Sequence, residues 1–324
     1  MKYKFSRPIN YWRRQTFEYH PVIGWWHVKN LYAKLPLGGT MHDFLTNTIG
    51  MRSSHEYTYD CPEFKKRIVF LGDSYTAGDG VSNHKRFTDL LEARYTQLEA
   101  LNFGLNGSGT DQQYLIYETF ARHFEAHAYV FCICVENIAR NLCTCRPSYD
   151  YKEHQVIYRP KPYFELENND LVLKNYPVPR EKRHIRDLGD WVCEFPYLSN
   201  HPDDAYAIYR YENSPHCILM EKILKNFIKK VSGYPVFIVP LPMKDHYLER
   251  SPATYWDSFK KLHDVNKKTY VIDVLTALKS SRDRDSFYFI DDPHYTESAH
   301  NLISNVLEYE INRYHPELLG SANA

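Results

Sequence analysis

The chain has 324 residues, enough for one large domain or two small ones with a real core. Its 40 basic and 40 acidic side chains cancel, so no global field draws a nucleic acid or an anionic membrane surface. No basic stripe with interleaved aromatics is present, and nucleic acid is not expected as a partner.

The first residues, Met1-Lys2-Tyr3-Lys4-Phe5-Ser6-Arg7-Pro8, lack the apolar centre of a signal peptide. No segment approaches the roughly 18 uncharged apolar residues of a membrane span. Seven cysteines are odd in number and spread over a large chain, which predicts reduced thiols and a cytoplasmic protein. The pairs Cys132/Cys134 and Cys143/Cys145 have only one residue between them, whereas zinc ligands normally have two or more. Buried thiols are expected there, with no metal and no cofactor.

Residues 1–64 carry Tyr11, Trp12, Phe17, Tyr19, Trp25 and Trp26 but little periodicity. Pro21, Gly24, Pro36, Gly38 and Gly39 punctuate them as turns. This stretch is too apolar for a disordered tail and is expected to form an ordered arm packed on the main domain, with 46–52 as a turn near a sheet. From residue 65 to 324, strands alternate with helices. Strands are predicted at 67–71, 100–103, 129–135, 235–240 and 270–274, and helices at 86–97, 112–124, 216–231, 255–267 and 298–314. The apolar runs are too continuous for half-exposed strands. Their alternation with amphipathic segments predicts a parallel sheet with helices on both faces. One stretch breaks the pattern: residues 142–215 are rich in proline and tyrosine and read as an insertion over the carboxyl edge of the sheet. Within it, 163–173 predicts a β-hairpin turning at Asn168-Asn169-Asp170.

The chemistry gathers at predicted strand ends, where open α/β sheets carry their sites. The first strand breaks at Gly72-Asp73-Ser74. There Ser74 stands where a strand turns into a helix N-terminus, and Asp73 and Ser74 also suit a helix cap. A serine hydroxyl needs a base within hydrogen-bond reach, itself oriented by a third group. Among 16 histidines, His294 is the informative one. It lies between the fifth strand and the last helix, with Asp292 and Asp291 two and three residues before it, and either carboxylate can reach its imidazole across a turn. An oxyanion needs donors. The loop Asn102-Phe103-Gly104-Leu105-Asn106-Gly107-Ser108-Gly109-Thr110 can bring a backbone N–H close to a reacting centre, and Asn137, at the end of the third strand, offers an amide. The loop has neither the spacing of a dinucleotide-binding motif nor the lysine of a P-loop.

These blocks resemble, in order and spacing, those of the SGNH (GDSL-type) hydrolases over residues 65–315. Gly72-Asp73-Ser74 matches the first block, Asn102 to Gly107 the second, Asn137 the third, and Asp291 with His294 the last. The third block departs from the family pattern: Val135-Glu136-Asn137-Ile138 lacks the usual first glycine and the aspartate. Glu136 is expected to point away from Asn137 if both lie on a strand. The resemblance implies a three-layer α/β sandwich with a five-stranded parallel, flavodoxin-like sheet. It also implies a serine esterase working through an acyl-enzyme on a short-chain ester, such as an acetylated sugar. Ser74 would be the nucleophile, His294 the base and Asp291 the orienting acid. Ser74, Gly107 and Asn137 would be the oxyanion donors. An Asp-x-His form of the last block would instead use Asp292. An O-acyltransferase acting on a saccharide, or a silent carbohydrate-binding relative, is compatible with the same blocks. The expected partner is a small-molecule or saccharide ester, and oligomeric state is not encoded.

Overall fold

The computed structural model describes residues 16–150, 152–193, 207–210 and 213–320. Tyr11, Trp12, Pro196 and Pro202, on which parts of the sequence reading rest, lie outside the described residues.

Two hairpins come first, β1 (Phe17–His20) with β2 (Gly24–His27) and β3 (Tyr32–Leu37) with β4 (Thr40–Leu45). Neither was legible as a strand pair, because each strand is only four to six residues long and its burial comes from partners distant in sequence. Trp26 shows this. It is buried, donates its indole N–H to the Ile49 carbonyl at 2.8 Å and packs on Phe120.

The central sheet consists of β5 (Lys66–Gly72), β6 (Leu98–Gly104), β7 (Ala128–Cys134), β12 (Val236–Leu241) and β13 (Thr269–Val271). All its pairings are parallel, in the spatial order β13-β12-β7-β5-β6. Every residue of β6, β7 and β12 is buried, as the continuous apolar runs of β7 and β12 require. Helix α2 (Phe87–Arg94) packs with the C-terminal helix Glu297–Tyr314, and α3 (Thr110–Thr119) with α4 (Pro215–Lys230). The fold is the expected three-layer, flavodoxin-like α/β sandwich. The first central strand, β5, lies between the second and the third, so its carboxyl end is the switch point of the sheet. The predicted helix 255–267 is reduced to Trp256–Lys260.

The stretch after the third central strand forms β8 (Cys145–Asp150) with β9 (Gln155–Pro160) and β10 (Tyr163–Glu167) with β11 (Asp170–Lys174). The second pair turns at Asn168 and Asn169, both with positive φ, the residue type that tolerates a two-residue hairpin turn. Cys145 is bonded to Cys193, with Cα atoms 5.5 Å apart. This corrects the expectation of thiols throughout. Cys132, Cys134, Cys143 and Cys217 remain buried thiols.

Lys161 clips this stretch to the main domain. Its ammonium is fully buried, meets the Asp111 carboxylate at the start of α3, and donates to the Arg140 and Cys143 carbonyls at 3.2 Å. Breaking one half of a buried pair strands the other charge. Lys161→Met is therefore expected to cost about 3–5 kcal/mol of unfolding free energy in urea titration, and adding Asp111→Asn should restore most of the loss.

Glu92 on α2 accepts from the Tyr57 hydroxyl at 3.2 Å. Burial, and then the nearby Asp89 carboxylate, push its carboxyl from 4.5 up to about 7. A raised carboxyl favours the protonated fold, so its contribution is fully present below about pH 4.5 and is lost as pH rises through about 7. Glu92→Gln should accordingly raise the melting temperature at pH 8, by about 2–4 °C for ~1 kcal/mol, and leave it nearly unchanged at pH 4.

Candidate active site

The site begins with two glycines at the ends of paired strands. Gly72 of β5 lies opposite Gly104 of β6. A Cβ on Gly72 would run into the Thr76 side chain, and one on Gly104 into the backbone nitrogen of Ala77. Their bare Cα atoms let the four-residue helix α1 (Ser74–Ala77) lie directly on the strand ends. Asp73 caps this helix, its Oδ1 accepting the Tyr75 N–H at 2.9 Å. Ser74 is the first helical residue, at the carboxyl edge of the sheet.

Across the edge, β14 (Tyr288–Phe289) and β15 (Asp292–Tyr295) form a short hairpin that carries His294. Its Nε2 lies 2.8 Å from Ser74 Oγ. Its Nδ1 lies 2.5 Å from Oδ1 of Asp292, and the same oxygen accepts the His294 backbone N–H at 3.0 Å. With a carboxylate at Nδ1, the neutral ring carries its proton there and turns its Nε2 lone pair to the serine hydroxyl. The Tyr75 ring packs 4.9 Å from the imidazole, and its hydroxyl donates to the Pro293 carbonyl at 2.8 Å.

The carboxylate at Nδ1 is not the expected one. Asp291 is exposed in the hairpin turn, whereas Asp292 is buried. Residues two apart on a strand share a face, so β15 turns Asp292 and His294 the same way.

The residues expected to offer oxyanion donors follow three neighbouring strands, β5, β6 and β7. Among the described residues, neither the Ser74 nor the Gly107 backbone N–H donates to any acceptor in the protein. Gly107 sits in a left-handed turn (φ +76°). The Arg146 guanidinium from β8 and the edge of Trp25 lie about its Cα, and Trp25 is tied to the same loop through the Asn106 carbonyl at 3.0 Å. Asn137 is buried and donates one amide hydrogen to Asp73 Oδ2, which leaves its second hydrogen for another acceptor. It does not lie on a strand. The chain leaves β7 at Cys134 and winds into a 3-10 helix, Val135–Leu142. Strand alternation therefore does not separate Glu136 from Asn137. Glu136 feels His294, Asp73 and Arg140, and burial raises its carboxyl above the usual range. Burial likewise raises Asp73, with Arg140 as the leading opposing charge.

A family model described as GDSL-like lipase/acylhydrolase matches residues 68–307. The chain belongs to that family. It is an ester hydrolase of the GDSL type, built on the α/β fold described above. No curated protein matches the chain. Among solved structures it is similar to a lipase/acylhydrolase from Enterococcus faecalis, with 14% identity, TM-score 0.45, and coverage of 76% of this chain and 96% of that one. It is also similar to a catalytic mutant of an acetylxylan esterase from Geobacillus stearothermophilus, with 10% identity, TM-score 0.45, and coverage of 76% and 94%.

The sequence reading passed over the second ring of this GDSL hydrolase site. Arg52 is fully buried and donates to the carbonyls of Gly78 at 2.7 Å and Val81 at 2.5 Å, which fixes the turn following α1. That turn carries Asp79, whose Oδ2 lies 3.8 Å from His294 Nε2. The available signal was the position of Asp79 just beyond Gly-Asp-Ser-Tyr-Thr-Ala-Gly, five residues after Ser74. No helix among the described residues is long and apolar enough to cross a membrane.

Proposed function

We propose that this GDSL-type ester hydrolase works as a serine esterase on short-chain O-acyl esters, through a covalent acyl-enzyme. The chain of contacts Ser74–His294–Asp292 carries this reading. His294 Nε2 takes the serine proton as Oγ attacks the ester carbonyl, while Asp292 holds the ring and stabilises the imidazolium. The oxyanion is received by the Ser74 and Gly107 N–H groups and by the remaining amide hydrogen of Asn137. His294 then returns the proton to the departing alcohol, and water repeats the sequence in reverse to release the acid.

In this reading Asp73 does more than cap a helix. By accepting from Asn137 it aims the amide, and because both of its oxygens are occupied it stays out of the proton transfers. The Cys145–Cys193 bridge favours an oxidising compartment over the reduced cytoplasm inferred from the cysteine count.

Ser74→Ala should abolish hydrolysis of p-nitrophenyl acetate and covalent labelling by a fluorophosphonate, with an unchanged circular dichroism spectrum. Turnover at the wild-type rate in that variant would sink the assignment. The two aspartates separate in the same assay. Asp292→Asn is expected to lower kcat/KM by about 10²–10⁴-fold, and Asp291→Asn to leave it within about twofold, as for a solvated surface group.

A further inference from the structure

His294 Nε2 faces a second carboxylate besides the one that orients its ring. Asp79 Oδ2 lies 3.8 Å from that nitrogen, and the side chain remains 23% exposed at the site. Its other oxygen accepts from the Asn106 amide, whose carbonyl oxygen lies 3.0 Å from His27 Nε2. His27 is itself fully buried, with Nδ1 3.1 Å from the Gly50 carbonyl. Asp79 is thus held from behind by residues of the second central strand's loop and of β2.

The Asn106 amide hydrogen occupies Asp79 Oδ1, so Oδ2 is the oxygen that Asp79 turns to the site as a hydrogen-bond acceptor.

A gap of 3.8 Å is too long for a direct hydrogen bond, yet two neighbouring oxygens of one ligand can bond to its two ends, one to each. We propose that Asp79 binds the alcohol half of the substrate, accepting a hydrogen bond from a free hydroxyl beside the esterified oxygen, so that the preferred substrates are monoesters of vicinal diols, as in polyols and sugars. This rests on the esterase reading above. When the ester oxygen faces His294 Nε2–H, the neighbouring hydroxyl falls to Asp79 Oδ2. An alkyl or aryl ester leaves that acceptor to water.

The test compares 2-hydroxyethyl acetate with 2-methoxyethyl acetate, in which a methyl group replaces the donor hydrogen, and with propyl acetate, which has neither donor nor ether oxygen. Wild-type kcat/KM should favour the hydroxyl ester over either of the others by about tenfold or more, the range for a hydrogen bond to a charged group. Asp79→Ala should bring both ratios to within about twofold of unity. Asp79→Asn, which keeps the shape, is the second variant, and labelling of Ser74 by a fluorophosphonate reports an assembled site in each. Equal rates on the hydroxyl ester and either of the others in the wild type would overturn the proposal, as would an equal loss on all three in a variant that still labels. In either case the Ser74 assignment survives. A wild-type protein that neither labels at Ser74 nor cleaves any ester overturns both readings together.

Discussion

The site depends on one buried carboxylate, that of Asp73, being satisfied on both sides. An ionised group out of water is costly unless its oxygens find donors. Asp73 finds the Tyr75 N–H at the start of α1 and the Asn137 amide from the 3-10 helix after β7. These are two separate crossings of the sheet. By joining them, the carboxylate fixes the distance between the serine's helix and the asparagine. Burial pushes its carboxyl upward, and Arg140, which also donates to the Ser108 carbonyl at 3.2 Å, is the leading counterweight. Arg140 therefore links the charge balance at Asp73 to the glycine-rich loop. The elbow, the loop and the asparagine are held as one unit.

Much of this was legible in the residues, for physical reasons. A parallel sheet covered on both faces demands continuous apolar strands, and β5, β7 and β12 advertise themselves that way. The glycine at the end of β5 marks where the chain must leave the sheet at close quarters. The choice of acid was less legible. Asp291 and Asp292 are adjacent, and both lie within reach of His294 in an unspecified turn. Only a strand conformation over Asp292–Tyr295 separates them, and a four-residue strand containing a proline gives no periodic signal. Read as a strand, Asp-x-His puts both side chains on one face. Asn137 illustrates the converse error: a strand was extended one turn too far, and the alternation rule was applied where the backbone had already begun to coil.

The early hairpins were illegible for a different reason. Their residues are held by contacts across 79 to 81 positions, such as Trp25 on the Asn106 carbonyl and His27 on its amide. No local pattern records a partner so far away. The charges gave the better clue. Among the described residues Arg52 meets no carboxylate at its guanidinium, which instead donates to the Ala77, Gly78 and Val81 carbonyls at and after the end of α1, to the Asp43 carbonyl of β4 and to the Asn83 amide oxygen. A fully buried arginine of this kind is a positioning device, because its planar fork fixes several carbonyls at once. Burial lowers its pKa to about 9, still well above neutrality, so the clamp keeps its charge.

Helix α1 at the end of β5 places Ser74, the β14–β15 hairpin places His294 and Asp292, and other segments supply what surrounds them. Arg52 sets the turn that bears Asp79, and His27 anchors Asp79 from behind through Asn106. Opposite, Arg146 reaches Gly107 from a strand that begins at the bonded Cys145, close to where Lys161 clips the same stretch to Asp111. Arg52, His27, Lys161 and Asp111 are fully buried, and each would be expensive to leave unpaired. Such groups cannot drift with surface loops. The turn that carries Asp79 and the loop that carries Gly107 are therefore held by two different segments. The turn is tied to the nucleophile as well, because the Asp79 backbone N–H donates to the Ser74 carbonyl at 3.0 Å.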